Sequence, residues 1–455
     1  MSTQKRAAGS DNRSPNVNAK RTRGEGATDV APGSKIASPP PGAFLAYPPI
    51  AAASQEVKRT AFQLPTQFTT FSYDENHTQH FDNSAMRYYV KPPPSARLDY
   101  GYERWIRQDD DRGRIDALLR ALVDAKKDPS KAQYVPDNGV VCWRGMMTKI
   151  LIGPYENRDA WDLNVMFVNG VLYLEEHATE AKLRERNDMP PRQRQQTYYG
   201  YSFESYCTSD TPTRQTTRKR TGEPPGWGGD VNTNVQWCSV VRTKLGDTRI
   251  VIGGEVDCVR GQYTGSTDTF VELKTSMVIR GPHDESKFEK KLLKFYFQSF
   301  LLGVPEIVVG FRTPAGVVTT IQSFKTIEIP RLVRGKPGAW DPLVCLDWGN
   351  TLLDFVKTVV SKETNPETQD ASRQVWRLSF VPGTGVNVRL LGESDVDEVV
   401  NGEDRIGFLP RWYWEELHTS QESPPTSTSG KSAGISSQPG HTQLSPPDTL
   451  SGWKI

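Results

Sequence analysis

The chain has 455 residues, 24% of them charged, and a formal net charge of +2. This length suits one large domain or two ordinary ones with tails, and the near-neutral balance excludes a globally basic nucleic-acid coat but not a local basic groove. The five cysteines, at 142, 207, 238, 258 and 345, make no Cys-x-x-Cys pair and the six His do not cluster with them, which argues against a zinc site or disulfide framework and predicts a reducing compartment.

No apolar run is long enough to span a bilayer, and the start has no signal-peptide core, so the expectation is a soluble, intracellular protein without a membrane partner. Residues 1–60 are rich in Pro, Ser, Ala, Gly and Asn and predict a disordered tail. Within it, Lys5-Arg6 and Lys20-Arg21-Thr22-Arg23 resemble a two-part nuclear import signal, against the plain reading of a basic tail.

Order is expected from near Phe62, with Phe68, Phe71 and Tyr73 as edge-strand anchors and Tyr88–Val90 as a short strand. Ile115, Leu118, Leu119, Leu122 and Val123 form the apolar stripe of a helix over 112–125. Asp109, Asp110 and Asp111 precede it and read as its cap. Val140–Leu151 reads as a half-buried strand carrying Arg144, whose guanidinium matches phosphate oxygens; a structural salt bridge is the bland alternative.

Asn169-Gly170 between two apolar runs predicts a type I′ hairpin. A charged helix-prone stretch breaks at Pro190-Pro191, and the aromatic helix after it carries Glu204 between Tyr201 and Tyr206. Residues 208–230 predict an exposed loop with Arg218-Lys219-Arg220, and 235–242 a strand.

Ile252–Val259 and Thr269–Thr275 read as two strands of a hairpin. Alternate side chains share a face, so Glu255 and Asp257 point together, as do Glu272 and Lys274, with Val256, Cys258, Val271 and Leu273 opposite. Three carboxylates and one ammonium on one surface call for compensation, and a divalent cation with oxygen ligands provides it. The lysine could hold a scissile phosphate or help deprotonate water. Asp followed by Glu-x-Lys on the next strand is the metal-site pattern of a large nuclease superfamily; cross-strand Glu–Lys pairs on a solvated face are the alternative.

A helix is expected over 285–302 with a core face of Phe288, Leu292, Phe295, Tyr296 and Ser299, a lysine side, and Gln298 near its end. Strands follow at 306–311 and 317–329, a helix at 342–361, and a late hairpin around Gly383-Thr384-Gly385. Residues 419–455 return to Ser, Pro, Thr and Gly and again read as a disordered tail, leaving one domain over 61–418.

Trp143-Arg144-Gly145, Gly200–Glu204, Gly254–Cys258, Val271–Ser276, Lys291–Phe300, Gly303-Val304-Pro305 and Val309–Arg312 occur in this order. Together they resemble the motifs of the DXO family of RNA 5′-end decapping nucleases, from about Phe68 to Trp412, most like its nuclear fungal-type members. The resemblance implies an α+β fold, two mostly antiparallel or mixed sheets with surrounding helices, and an active-site pocket between the sheets.

It also implies roles. Glu204, Asp257, Glu272 and the backbone carbonyl of Leu273 would be ligands of a divalent cation, Mg²⁺ or Mn²⁺. Glu255 would reach that cation through water or hold a second one; Lys274 and Gln298 would position the nucleophile and the scissile phosphate. Trp143, Arg144 and Gly145 would bind the RNA. The implied activity is hydrolysis at RNA 5′ ends carrying incomplete caps, NAD caps or triphosphates, in the nucleus, beside a 5′–3′ exoribonuclease partner. A non-enzymatic role as that partner's stabiliser, and a DNA endonuclease of the same superfamily, are the alternatives.

Overall fold

The computed structural model describes residues 42–47, 59–213, 222–363 and 373–419. The basic segments near the start, Arg218-Lys219-Arg220 and the tail beyond Thr419 lie outside them.

In chain order the strands are β1 (Ala43–Ala46), β2 (Thr66–Tyr73), β3 (Gln79–His80), β4 (Tyr88–Tyr89), β5 (Gly139–Trp143), β6 (Trp161–Val168), β7 (Val171–Glu176), β8 (Thr208–Ser209) and β9 (Gln236–Leu245). They continue as β10 (Thr248–Glu255), β11 (Cys258–Val259), β12 (Phe270–Met277), β13 (Glu306–Arg312), β14 (Val318–Lys325), β15 (Trp376–Val381), β16 (Gly385–Leu390), β17 (Arg405–Ile406) and β18 (Leu409–Pro410). The helices are α1 (Asp116–Lys126), α2 (Pro129–Ala132), α3 (Arg144–Ile152), α4 (Glu180–Asn187), α5 (Pro191–Cys207), α6 (Pro282–Leu301), α7 (Ile329–Val333), α8 (Pro342–Glu363), α9 (Glu393–Val400) and α10 (Arg411–Thr419).

A ten-stranded sheet runs β1-β16-β15-β6-β7-β5-β10-β9-β2-β3, and a six-stranded sheet runs β14-β13-β12-β11-β4-β8. Both are mixed: β5 is parallel to β7 and β10, and β12 is parallel to β13. The expected α+β fold with two sheets is what forms. Asn169 and Gly170 close the β6–β7 hairpin with φ of 50° and 85°, the pair of positive values that a type I′ turn demands.

Period-two alternation sorts the strands between cores. On β10, Ile250 and Ile252 face α3, α6 and α8, while Val251 faces the opposite layer with α1 and α10. On β12, Phe270 joins the first core, and Val271 and Leu273 pack on α5. Each fully buried large side chain contributes on the order of 2 kcal/mol.

Five expectations change. Ala43–Ala46, inside the stretch expected to be disordered, pairs with β16 as an edge strand. Arg144 is not on a strand: β5 ends at Trp143 and α3 begins at Arg144, because Met146, Met147, Ile150 and Leu151 recur at helical spacing and bury one face. Asp109–Asp111 do not cap α1; Asp109 and Asp110 pair with Arg107, and buried Glu175 accepts the Ile115 N–H at the helix start, 3.1 Å away. The strand expected over 317–329 stops at Lys325 and turns into α7. Part of the 208–230 loop is also packed, with Trp227 edge-on to Tyr100 and Tyr206.

Candidate active site

The expected hairpin is a crossing between sheets. β10 stays in the ten-stranded sheet to Glu255; Val256 and Asp257 lie outside any strand; β11 then pairs with β12 over two residue pairs, Cys258↔Val271 and Val259↔Phe270. Strict alternation would carry one strand straight through Val256, which instead turns into the helical core while Cys258 faces α5. Glu255 and Asp257 are therefore on one surface because the chain changes sheets between them.

At this crossing the predicted groups gather. Asp257 Oδ2 accepts the Leu273 N–H at 2.6 Å, tying the crossing to β12. Glu272 is 1% exposed and held from two sides: Arg144 Nη1 is 3.0 Å from its Oε2, and Lys274 Nζ is 2.6 Å from its Oε1. The Lys274 ammonium thus forms a close ion pair with Oε1. Glu204 arrives from α5, and its carboxyl feels Asp257, Glu255 and Glu272.

The electrostatics follow from burial. Burial, then Asp257 and Glu255, pushes Glu204 well up from the usual carboxylate range. Burial and Asp257 raise Glu255 to about 7; burial and Glu272 raise Asp257 to about 6. Burial alone would raise Glu272 as well, but Arg144 and Lys274 outweigh it and bring it to about 2. In Lys274 burial opposes the charge, and Glu272 and Asp257 overcome it. The ammonium therefore keeps its proton, which favours holding a phosphate over deprotonating water.

Four carboxylates against two cations leave a net charge of −2 when all are ionised. Oxygen donors and a deficit of two positive charges suit a hard divalent cation. Among the described residues no three His, Cys, Asp or Glu side chains already stand in metal-holding geometry, and Arg144 and Lys274 occupy Glu272. The donor set fits the cation once Lys274 leaves Oε1, with Arg144 still on Oε2.

A cleft of about 620 Å³ opens beside the cluster, lined by Trp143, Arg144, Gly145 and Glu255. It lies over the ten-stranded sheet, between β2, β9, β10 and α1, so the acids sit between the sheets at its inner edge while its walls belong to one sheet. Trp143 packs edge-on to Phe71 and donates Nε1 to the Arg114 carbonyl at 3.0 Å. α3 starts in this cleft with no side-chain cap, and space around Gly145 is open. Free N–H groups at that helix start can receive a phosphate.

Gln298 is half-buried on α6. It shares a helix face with Leu302, the residue just past the end of α6, whose Cδ1 would lie 2.8 Å from a Cβ added at Gly254 and so abuts the Arg144 side of the site. The far wall is not legible in the sequence: Tyr73, His77, Gln79, Gln108, Arg114 and Arg120 line the cleft from the β2–β3 hairpin, the loop before α1 and α1 itself. No local pattern marks them.

Comparison with known proteins agrees with this geometry. The profile of the RAI1 like PD-(D/E)XK nuclease family matches residues 63–414. The decapping nuclease RAI1 of Mycosarcoma maydis is 37% identical over 444 residues, covering 78% of this chain and 87% of that protein. The decapping and exoribonuclease protein of Xenopus laevis is 36% identical over 370 residues, covering 77% and 86%. In fold, the chain resembles Candida albicans Rai1, solved in complex with pU5-Mn²⁺, with a TM-score of 0.68 at 23% identity over 83% of this chain and 99% of that one.

Proposed function

The chain belongs to the RAI1-like PD-(D/E)XK nuclease family, and from that premise we infer a divalent-metal-dependent decapping nuclease hydrolysing phosphodiester bonds at RNA 5′ ends. The observation that carries it is the double clamp of Arg144 and Lys274 on Glu272, beside Asp257 and Glu204, at the crossing between sheets.

Glu204, Asp257 and Glu272, with the Leu273 carbonyl, would hold the cation, and Glu255 would support it from the cleft side. When bound, Mg²⁺ or Mn²⁺ supplies Lewis-acid polarisation of a phosphoryl oxygen. Arg144 uses Nη1 on Glu272 and lines the cleft, so its fork can bridge that carboxylate and an RNA phosphate. The N–H groups that open α3 at Arg144 and Gly145 receive the same phosphate, and Trp143 fixes the height of that turn. Lys274 supplies a positive charge where negative charge develops on the phosphoryl group. Gln298, an amide that can both donate and accept, orients the attacking water.

The substrates we propose are incompletely capped RNA, NAD-capped RNA and 5′-triphosphate RNA, on the family's pattern. We propose one nuclease domain over 61–418, a nuclear location supported by the basic segments at 5–6 and 20–23, and a nuclear 5′–3′ exoribonuclease as partner, stabilised by this chain in RNA quality control and rRNA processing. The test is hydrolysis of unmethylated-cap and NAD-capped RNA by Glu204→Ala and Asp257→Ala with Mg²⁺ or Mn²⁺. Turnover should fall by at least about 10³-fold; undiminished turnover ends the assignment. Whether the same variants still stimulate the exoribonuclease separates catalysis from partnership, and cleavage of duplex DNA would favour the endonuclease reading.

A further inference from the structure

Two features of the chain remain without a role: the lysine side of α6 and Arg312, the last residue of the Val309–Arg312 motif. Lys287, Lys291, Lys294 and Gln298 follow at spacings of four, three and four residues, within an arc of about 60° on the helix. The three lysines are exposed, Gln298 is half-buried, and Leu302 beyond it abuts Gly254 and Arg144. The stripe thus runs about 16 Å, from solvent to the rim of the acid cluster.

A solvated charged face is the ordinary explanation for such a stripe. Two observations set this one apart. The acids of the same helix are drawn elsewhere: Glu285 and Glu289 both pair with Lys336, and among the described residues none of the three lysines has an ion-pair partner. Beside the stripe stands a fourth cation without a carboxylate partner among the described residues. Arg312 is 7% exposed, lies over the Tyr199 ring at 4.7 Å, and donates to the Thr313 carbonyl and Met277 Sδ, while its Nε is buried without a partner. Among the described residues no carboxylate pairs with it. Partial desolvation of this surface lysine, then the positive charges of Arg312 and Lys287, depress Lys291, so the like charges are near enough to repel. Burying an arginine beside lysines is unfavourable unless an anion shares the site.

Resting on the nuclease reading above, we propose that Lys287, Lys291 and Lys294 with Arg312 form a phosphate track that holds the RNA backbone downstream of the scissile linkage and delivers it to Gln298. A chain of phosphates suits this array better than a single anion, because the charges are spaced along a line and carry no shape that would select a base.

The test uses the full chain and 5′-phosphorylated oligoribonucleotides of two, four and eight nucleotides with non-hydrolysable phosphorothioate linkages. Binding is read by fluorescence anisotropy at several salt concentrations. For Lys287→Ala/Lys291→Ala/Lys294→Ala, the ratio of variant to wild-type Kd should rise with length, reaching tenfold or more for the octanucleotide. The slope of log Kd against log salt should fall by about 2, at roughly 0.7 for each phosphate no longer neutralised by a lysine. Arg312→Gln should show the same length dependence; it is read beside the exposed lysines because their removal leaves the core intact. A ratio that does not change with length overturns the track. So does competition by inorganic phosphate alone that is equal at every length, which would mark a free-anion site. Catalytic turnover of Glu204→Ala and Asp257→Ala is scored separately, so loss of the nuclease reading and loss of the track are distinguishable.

Discussion

Arg144 Nη1 and Glu272 Oε2 lie 3.0 Å apart across 128 residues of sequence, joining the helix that leaves the ten-stranded sheet to the strand that anchors the six-stranded one. Glu272 is 1% exposed, so removing Arg144 leaves a buried carboxylate with Lys274 alone. Arg144→Ala should cost about 3 kcal/mol of stability by urea unfolding and reduce kcat/KM for capped RNA by about 10²-fold or more. Arg144→Lys keeps the charge and loses the fork, so stability should recover further than activity. Equal recovery of both would show that the guanidinium serves only as a counter-charge.

The net charge of −2 around Glu204, Glu255, Asp257 and Glu272 makes cation binding visible without any substrate. A ligand at a hundred times its Kd stabilises the folded chain by about 2.7 kcal/mol. Adding Mg²⁺ or Mn²⁺ after chelation should raise Tm by on the order of 5 °C. Asp257→Ala should abolish that increment; without cation, its relief of repulsion at the cluster is set against the lost Leu273 N–H bond. A cation-induced rise that survives both Asp257→Ala and Glu204→Ala places the ion elsewhere.

Gly310 tests the other side of the same site. A Cβ there would stand 2.5 Å from Phe203 Cε2, and Phe203 immediately precedes Glu204 on α5. Gly310→Ala must push the phenyl ring and its helix off β13. The expected cost is about 2 kcal/mol, with a loss of activity larger than the folded fraction explains, because Glu204 moves with Phe203. Phe203→Leu placed over Gly310→Ala should restore part of both. Full activity in the single variant would mean that α5 does not fix the position of Glu204.

These residues also show what the sequence could reveal. Glu272 and Lys274 are legible because two residues of a strand share a face, and the pair stands at 2.6 Å. Asp257 falls in the right place on a wrong premise: its neighbour Val256 leaves the strand, and alternation cannot report a change of sheet. Arg144 reads as a strand residue because buried β5 and the apolar face of α3 form one unbroken hydrophobic run, where periodicity is weakest. Glu204 and Gln298 sit on helices far along the chain, so only the ordered motifs point to them. Tyr73, Gln79 and Arg120 on the cleft wall carry no signal at all, since their proximity is made by sheet pairing and by the docking of α1.

His177 supplies a prediction about stability, away from the catalytic groups. It is 6% exposed at the end of β7, with Arg377 and Lys182 as nearby cations and Glu398 and Asp162 as nearby acids. Burial and then Arg377 lower its pKa from 6.5 to about 4. The neutral ring is thus favoured in the folded chain, while the unfolded chain binds a proton below about 6.5. The sign follows: the stability tied to the neutral ring is present in full above pH 6.5 and lost as pH falls through 6.5 towards about 4. Between pH 7 and 4.5 this amounts to about 2 kcal/mol. His177→Gln cannot titrate, so its urea-unfolding free energy should fall by about 2 kcal/mol less than that of the wild type over this interval. Carboxylates that titrate in the same range contribute equally to both chains and cancel in the difference. Parallel curves for the two proteins would mean that the histidine binds its proton as readily in the fold as in the unfolded chain, with Glu398 and Asp162 offsetting burial and Arg377.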